Sequence, residues 1–522
     1  MAAGRLPLVR GADRVGYTGA EAPGTALLRG ARALSMGPKG CRTGGRSIAA
    51  SRKPLKRVAP ASDNRAASLP SGETIHRDPW EARQAGRALR RQVARSAHAL
   101  WAPPHDRPDP VSLLESQDAT RVPELVPIRY GRMLASPFGF LRGSAIVMAS
   151  DLAHTPVTGL TTQICGDAHL SNFGMFASPE RDLVFDVNDF DETLPGPWEW
   201  DVKRLAASGV VAARAAGLSR RDTRAVAQAA VRSYRTHMHA LANLAALALW
   251  YRRIDAADIA ADRRSGRLLR GFLKAARRHR DENASARLLR RVKGHLRFVD
   301  DPPLTTHSSV TAEESQALQE MFAAYARGLR YDWRVLLDRY EVVDVARKVV
   351  GVGSVGTRTF VVLLVADRSA ADPLILQLKE ADASVLEPHL GTSPLRSHAE
   401  RVVDGQRVMQ SVSDVFLGWS HSPLTGRDYY WRQLWDWKGS AVIDSMPLEE
   451  LTFYVGLCGR ALALAHARGG DRLGIAGYLG TSDTFDRAIA DFAEAYAEQT
   501  DRDHAALVAA VKHGRIKAEP GV

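Results

Sequence analysis

The chain has 522 residues, 45% of them hydrophobic and 25% charged, with a formal net charge of +13, which suits a soluble globular protein with length for two or three domains. No run approaches the roughly 18 apolar residues of a membrane span, so no membrane insertion is expected. The three cysteines are too scattered for a disulfide framework or a zinc site, which fits a reducing cytoplasm.

The charge is uneven. Thirteen Lys or Arg stand against Asp13, Glu21 and Asp63 in the first 70 residues, a net of +10 that leaves only +3 for the rest, so no specific nucleic-acid partner is expected. Residues 1–75, rich in Gly, Ala, Ser and Arg, read as a disordered basic tail. Such a stretch also resembles an organelle transit peptide or sequence upstream of the true start. From His76 the pattern becomes regular. Pro79 to Leu100 is helix-like, and Trp101-Ala102-Pro103-Pro104-His105 breaks it. The loop-rich VPELVPIRYGRMLASPFGFLRG follows, with Arg129, Arg132 and Arg142 expected to cap helices and to pair with the acidic loop ahead, or else to contact a phosphate.

Ser144 to Ala153 reads as a helix and Leu160 to Ile164 as a strand running into CGDAHLSNFGMFASPER. That stretch puts Asp167, His169 and Asn172 on one tight loop, and LVFDVNDFDE then delivers Asp186, Asp189 and Asp191 on a strand and turn. Turns rarely alternate carboxylates with Val, Phe and Leu in strand register. An Asp, an Asn five residues on and a strand ending in Asp-Phe are what phosphoryl transfer from a nucleotide needs. One carboxylate orients the acceptor hydroxyl, while an amide and a second carboxylate hold magnesium. Asp186 and Asp189 both remain open as that second carboxylate, since strand parity sets Asp186 on the opposite face from Asp189 unless the turn has begun.

Pro195-Gly196-Pro197 is a break, and Trp198 starts a helix with Asp201 in its first turn, where a carboxylate suits the helix dipole. Residues 202–340 look almost wholly helical. The texture changes at Tyr340 to β-branched runs around glycines, with LILQLK as a further strand and more strands expected at Arg407–Met409, Val415–Leu417 and Tyr429–Leu434. Trp431, Trp435 and Trp437 form an aromatic cluster suited to core packing or to a surface under a base. Helices resume at Leu448–Ala467 and Ser482–Val511. Within the β unit, Gly351-Val352-Gly353-Ser354-Val355-Gly356 satisfies G-x-G-x-x-G. A dinucleotide loop would open into a helix, whereas here the strand TRTFVVLLV follows, as in the flap that covers ATP phosphates. Lys379 ends the next strand.

With both sets of residues in view, the chain resembles the protein-kinase-like superfamily on its aminoglycoside-phosphotransferase side. That group carries H-G-D-x-H-x-x-N, and Cys165-Gly166-Asp167-Ala168-His169-Leu170-Ser171-Asn172 departs from it only at the first position. Asp189-Phe190 resembles its metal-binding motif, and Asp201 the acid that braces the catalytic loop. RMLASPFGFLRG, CGDAHLSNFG, FDVNDFDETLPGPWEWDVKRLAAS and AHARGGD resemble, more closely, a large uncharacterised bacterial family, domain of unknown function 2252, over roughly residues 76–515; no substrate comes with it. The resemblance implies an α+β, two-lobed kinase-like fold. Kinases place the glycine loop and lysine before the catalytic loop, and here they come about 185 residues after it, which implies circular permutation. Residues 76–340 would be a helical catalytic lobe, 341–440 a β-rich nucleotide-binding lobe, and 441–522 helices packing on the catalytic lobe. The competing account makes 76–160 the nucleotide lobe.

The implied activity is phosphoryl transfer from ATP with Mg2+ to an unidentified small-molecule or protein acceptor. Asp167 is its base and His169 a fixer of the loop. Asn172 and Asp189, or Asp186, bind metal. Gly351, Gly353, Ser354, Gly356 and Lys379 hold phosphates, with Glu387 or Glu400 as partner of Lys379. The alternatives are a two-metal hydrolase using Asp167, His169, Asp186 and Asp189, a nucleotide-sensing pseudokinase, and adenylyl transfer.

Overall fold

A computed structural model describes residues 78–278, 288–307, 311–349, 351–366, 373–434, 439–443 and 446–521. All belong to one compact unit spanning 63–522; the proposed tail, Trp435 and Trp437 lie outside the described residues. The architecture is α+β.

Its helical body is built on Trp198–Ala215, Arg220–Leu241, Leu448–Gly469 and Thr484–Lys512. Ala and Gly at three-to-four spacing let these helices approach closely. A Cβ on Gly459 would lie 2.3 Å from the carbonyl oxygen of Ala230, so the crossing of Leu448–Gly469 over Arg220–Leu241 requires glycine there. The core they share runs through Val210, Ala227, Tyr234, Leu462, Ile489 and Phe492. Residues 78–160 are helical or irregular, with no strand among them.

Two nested antiparallel pairs cross this body. Strand β1 (Thr161–Ile164), β2 (Phe173–Ala177), β3 (Leu183–Val187) and β4 (Leu194–Pro197) are arranged so that β2 pairs β3 inside and β1 pairs β4 outside. Phe173 faces Val187 and Ile164 faces Leu194. The segments between the pairs, 165–172 and 188–193, are therefore brought opposite one another by register alone. The amide of Asn188, donating to the carbonyl of Asn172 at 2.8 Å, continues the ladder.

The hairpin of β5 (Leu289–Val292) and β6 (His295–Phe298) interrupts the expected helical run. A six-stranded sheet follows, made of β7 (Thr305–Thr306), β8 (Glu341–Lys348), β9 (Thr359–Val365), β10 (Pro373–Ala381), β11 (Gly418–His421) and β12 (Asp428–Gln433). Every pairing is antiparallel, in the order β11-β12-β10-β9-β8-β7. Alternation sorts its faces. Phe360, Val362, Leu376, Leu378 and Trp431 pack under Leu318, Met321 and Tyr325 of the helix Ala312–Gly328, while Val361, Leu363 and Ile375 pack with Leu289 and Phe298 of the β5/β6 hairpin.

The sheet thus begins before residue 340, and a helix expected in the first lobe covers it. A 3.6-residue stripe announces an apolar face but not the surface it meets. Arg407–Met409, expected as a strand, ends the helix His398–Met409, and Val415–Leu417 precedes β11 without forming a strand; short apolar runs carry no period that separates the two states. The remaining strand, β13 (Gly439–Ser440), adds to the free edge of β2.

Candidate active site

The loop after β1 is held from below. Asp201, buried in the first turn of Trp198–Ala215, accepts the amides of Cys165 at 2.8 Å and Gly166 at 3.0 Å, and lies 3.1 Å from Nε2 of His466. The other ring nitrogen of His466 is 2.9 Å from the Tyr234 hydroxyl. Gly166 has φ +78°, and a Cβ there would meet the carbonyl oxygen of Glu192 at 2.5 Å, so the turn onto Asp167 needs glycine. The loop then closes on itself. The Asn172 side-chain amide donates to the Asp167 carbonyl at 2.7 Å, and the His169 amide donates to the same oxygen at 2.8 Å.

Asp167 carries the guanidinium of Arg204 on one carboxylate oxygen and has Nε2 of His169 3.7 Å from the other. Arg204 is fully buried and is steadied by the Leu141 carbonyl at 2.8 Å. Burial pushes the Asp167 carboxyl up to about 6, with Arg204 opposing the shift. The same burial holds the His169 ring well below its ordinary value, with the charge of Arg204 adding to the effect.

In the opposite segment Phe190 is buried in the core, which leaves Asp189 and Asp191 on its two sides to line the cleft. Asp191 is the partner of Lys379. It also accepts from the Tyr430 hydroxyl at 2.8 Å and the Ser354 hydroxyl at 3.2 Å. Burial pushes Asp191 up, yet the lysine charge and these hydrogen bonds outweigh it, and the carboxyl is held below its usual range. Lys379 is 2% exposed. Desolvation alone would lower its ammonium, and Asp191 reverses that, raising it. Its parity within β10, opposite to that of Leu376 and Leu378, turns it with Gln377 toward the cleft.

The glycine loop roofs the cleft. Arg132 donates to the Gly351 carbonyl, Arg121 to the Val355 carbonyl, and the Val122 amide to the Gly356 carbonyl at 2.8 Å. Gly356 has φ +90°, and a Cβ there would press on the Arg121 side chain at 3.0 Å. Gly351, Gly353 and Ser354 share one cavity lining with Asp167, His169, Asn172 and Asp189. A larger cavity, about 600 Å³, lies beyond and is lined by Asp189, Gly351, Ser354, Lys379, Gln377 and Leu434 among others.

Two sequence-derived candidates stand elsewhere. Asp186 is 1% exposed. One oxygen takes the amide and hydroxyl of Ser411, each at 2.8 Å, and the other takes its neighbour's amide from Val187 at 2.9 Å, so this carboxylate is a structural acceptor outside the cleft. Glu387 lies 3.9 Å from Arg401 and 3.8 Å from His398, not on Lys379. Glu400 accepts the Arg396 amide at 2.9 Å near the start of its helix. The lysine's acidic partner is instead Asp191, two residues beyond Asp189 on the same turn. Arg204 also went unread, although it stands three residues after Asp201 on one helix face, which is a visible signal. Among the described residues no cluster of three or more His, Cys, Asp or Glu could hold a metal by itself, and no helix is long and apolar enough to cross a membrane.

Fold and site define an α+β protein whose helical body and antiparallel sheet enclose one polar cleft, with an acidic loop, a buried lysine and a glycine loop on its walls. The family model described as "Uncharacterized protein conserved in bacteria (DUF2252)" matches residues 121–510, and the chain belongs to that family. No curated protein and no solved structure matches it.

Proposed function

We propose that the protein is a kinase-like phosphotransferase that uses ATP with magnesium and modifies a hydroxyl or amine acceptor. The helical body carrying 165–172 and 188–193 is its catalytic lobe, the six-stranded sheet its nucleotide lobe, and their order along the chain is permuted relative to kinases. One observation carries the reading. Lys379 and the glycine loop, which come late in the sequence, line a cleft with Asp189, and the same loop borders the cavity of Asp167 and Asn172. The strandless 78–160 segment leaves the competing nucleotide lobe without a sheet.

The donor set fits the ligand. Magnesium takes one or two protein oxygens and completes its shell with phosphates and water, so Asp189 and the Asn172 amide oxygen suffice without a self-contained metal cluster. Magnesium held there would neutralise charge on the transferred phosphoryl group. Lys379 and the loop amides would hold the phosphates. Asp167, ionised at neutral pH, receives the acceptor's proton while Arg204 fixes its orientation. The hydrolase alternative needs Asp186 at the metals, and its oxygens are engaged by Ser411 and Val187. Buried, unbridged Cys165 and Cys458 suit a cytoplasmic protein.

Thermal melting tests the reading. A ligand at a hundred times its dissociation constant stabilises the folded state by about 2.7 kcal/mol, so magnesium-ATP should raise the melting temperature and Asp189→Ala should remove most of the rise. Asp167→Asn should retain it while losing transfer of label from ATP. An unchanged melting curve at saturating magnesium-ATP refutes the proposal.

A further inference from the structure

The cleft has a second compartment for which the nucleotide provides no occupant. Lys379 lines the large cavity and not the small one, whereas Asp167 lines the small one and not the large. The two share Asp189, Gly351 and Ser354 as a common wall. A group approaching Asp167 from the side away from the lysine therefore enters the small compartment. Its volume, about 90 Å³ against about 600 Å³ for the large cavity, leaves room for a compact functional group.

Four carboxylates line it; Asp189 stands on the shared wall, and the other three are engaged. Asp167 is paired with Arg204, Asp191 with Lys379, and Glu192 accepts the Val385 amide at 2.8 Å. Arg121 spends one amino group on the Val355 carbonyl, and its Nε is buried with no hydrogen-bond partner among the described residues. Burial, with the nearby charge of Arg129, pulls this guanidinium down to about 9 against the opposing charges of Asp118, Glu192 and Asp382, and a bound anion would add to that opposition. Arg142, from the end of the helix Pro137–Gly143, lines the same cavity. A guanidinium presents a planar fork of donors that matches carboxylate and phosphate oxygens.

We infer that the small compartment is an oxyanion subsite, in which Arg121 and Arg142 receive a phosphoryl or carboxylate group next to Asp167. Resting on the phosphotransferase reading, the anion has two sources: a charged group on the acceptor, or the terminal phosphoryl of the nucleotide. In the first case the substrate is an anionic alcohol or amine rather than a polycationic one.

The test titrates the full chain with inorganic phosphate, without magnesium, by calorimetry and thermal shift. Phosphate should bind at millimolar concentration, and Arg121→Gln and Arg142→Gln should each weaken it about tenfold, the loss of one charge-assisted hydrogen bond. Because Arg121 also tethers the glycine loop, Arg121→Lys and Arg142→Lys serve as second variants that keep the charge and lose the fork; a measurable weakening is expected for each. Absence of phosphate binding at tens of millimolar, or affinity unchanged in the double Gln variant with its circular dichroism intact, overturns the inference. Magnesium-ADP is titrated in parallel. If phosphate binds through both arginines while magnesium-ADP does not bind at all, the subsite stands and the nucleotide reading falls. Phosphate that still binds when a non-hydrolysable ATP analogue is present identifies the acceptor as the source, and phosphate excluded by the analogue but not by ADP identifies the terminal phosphoryl.

Discussion

Asp191→Asn and Lys379→Met break the same ion pair and should differ in cost. The Lys379 side chain is 2% exposed and that of Asp191 27%. Removing the carboxylate strands an ammonium where little water can reach it, which places Asp191→Asn near the cost of halving a buried pair, about 3–5 kcal/mol. Removing the lysine strands a carboxylate that keeps two donors, the hydroxyls of Tyr430 at 2.8 Å and Ser354 at 3.2 Å, as well as contact with the cleft. Lys379→Met, close in volume, should therefore cost about 1–3 kcal/mol, the range for one lost charge-assisted bond. The double variant should fall short of the sum by at least about 1 kcal/mol, because the second change removes a group already stranded. Urea unfolding at neutral pH, with equal m-values required across the set, measures all three. A Lys379→Met cost equal to or above that of Asp191→Asn, or strict additivity, refutes the reasoning that the pair is closed on the lysine side and open on the carboxylate side.

Asp201→Ala leaves the amides of Cys165 and Gly166 without their acceptor, at about 1–3 kcal/mol for each unsatisfied buried donor; a loss of less than about 1 kcal/mol in urea would show that the loop does not depend on this brace. His98 is fully buried, 2.8 Å from the Tyr478 hydroxyl, and burial pulls its pKa down to about 3. The unfolded chain thus takes up a proton near pH 6.5 that the folded one refuses until about pH 3, and stability falls on acidification through this window by about 1.4 kcal/mol per pH unit. His98→Phe should flatten the fall between pH 6.5 and 5 by about 2 kcal/mol, measured as the difference in unfolding free energy at the two values; an unchanged slope refutes the assignment.

The 165–172 loop and the acidic turn were legible in the sequence because their information is local. Alternation with Val, Phe and Leu marks β3, and a glycine before Asp167 marks the turn that φ +78° requires. Lys379 was legible from its place at the end of LILQLK, the strand that follows the glycine loop and TRTFVVLLV. The helices Trp198–Ala215 and Leu448–Gly469 followed from three-to-four spacing and close small residues.

What lay beyond reading was each interaction whose partners are distant along the chain. Sequence pattern places a side chain on a face, but the element that arrives opposite is chosen by packing. Asp186 and Asp189 look alike in FDVNDFDE, and only the approach of Ser411 makes one a structural acceptor while the other lines the cleft. Lys379 reads as needing an acid from a following helix, and the fold supplies Asp191 from the turn between β3 and β4, 188 residues earlier in the chain. Ala312–Gly328 shows its apolar stripe without showing that the stripe covers a sheet. Periodicity sees neighbours within about four residues, whereas the cleft is an agreement among segments from Arg121 to Arg432, and burial of their shared apolar surfaces decides which charges meet.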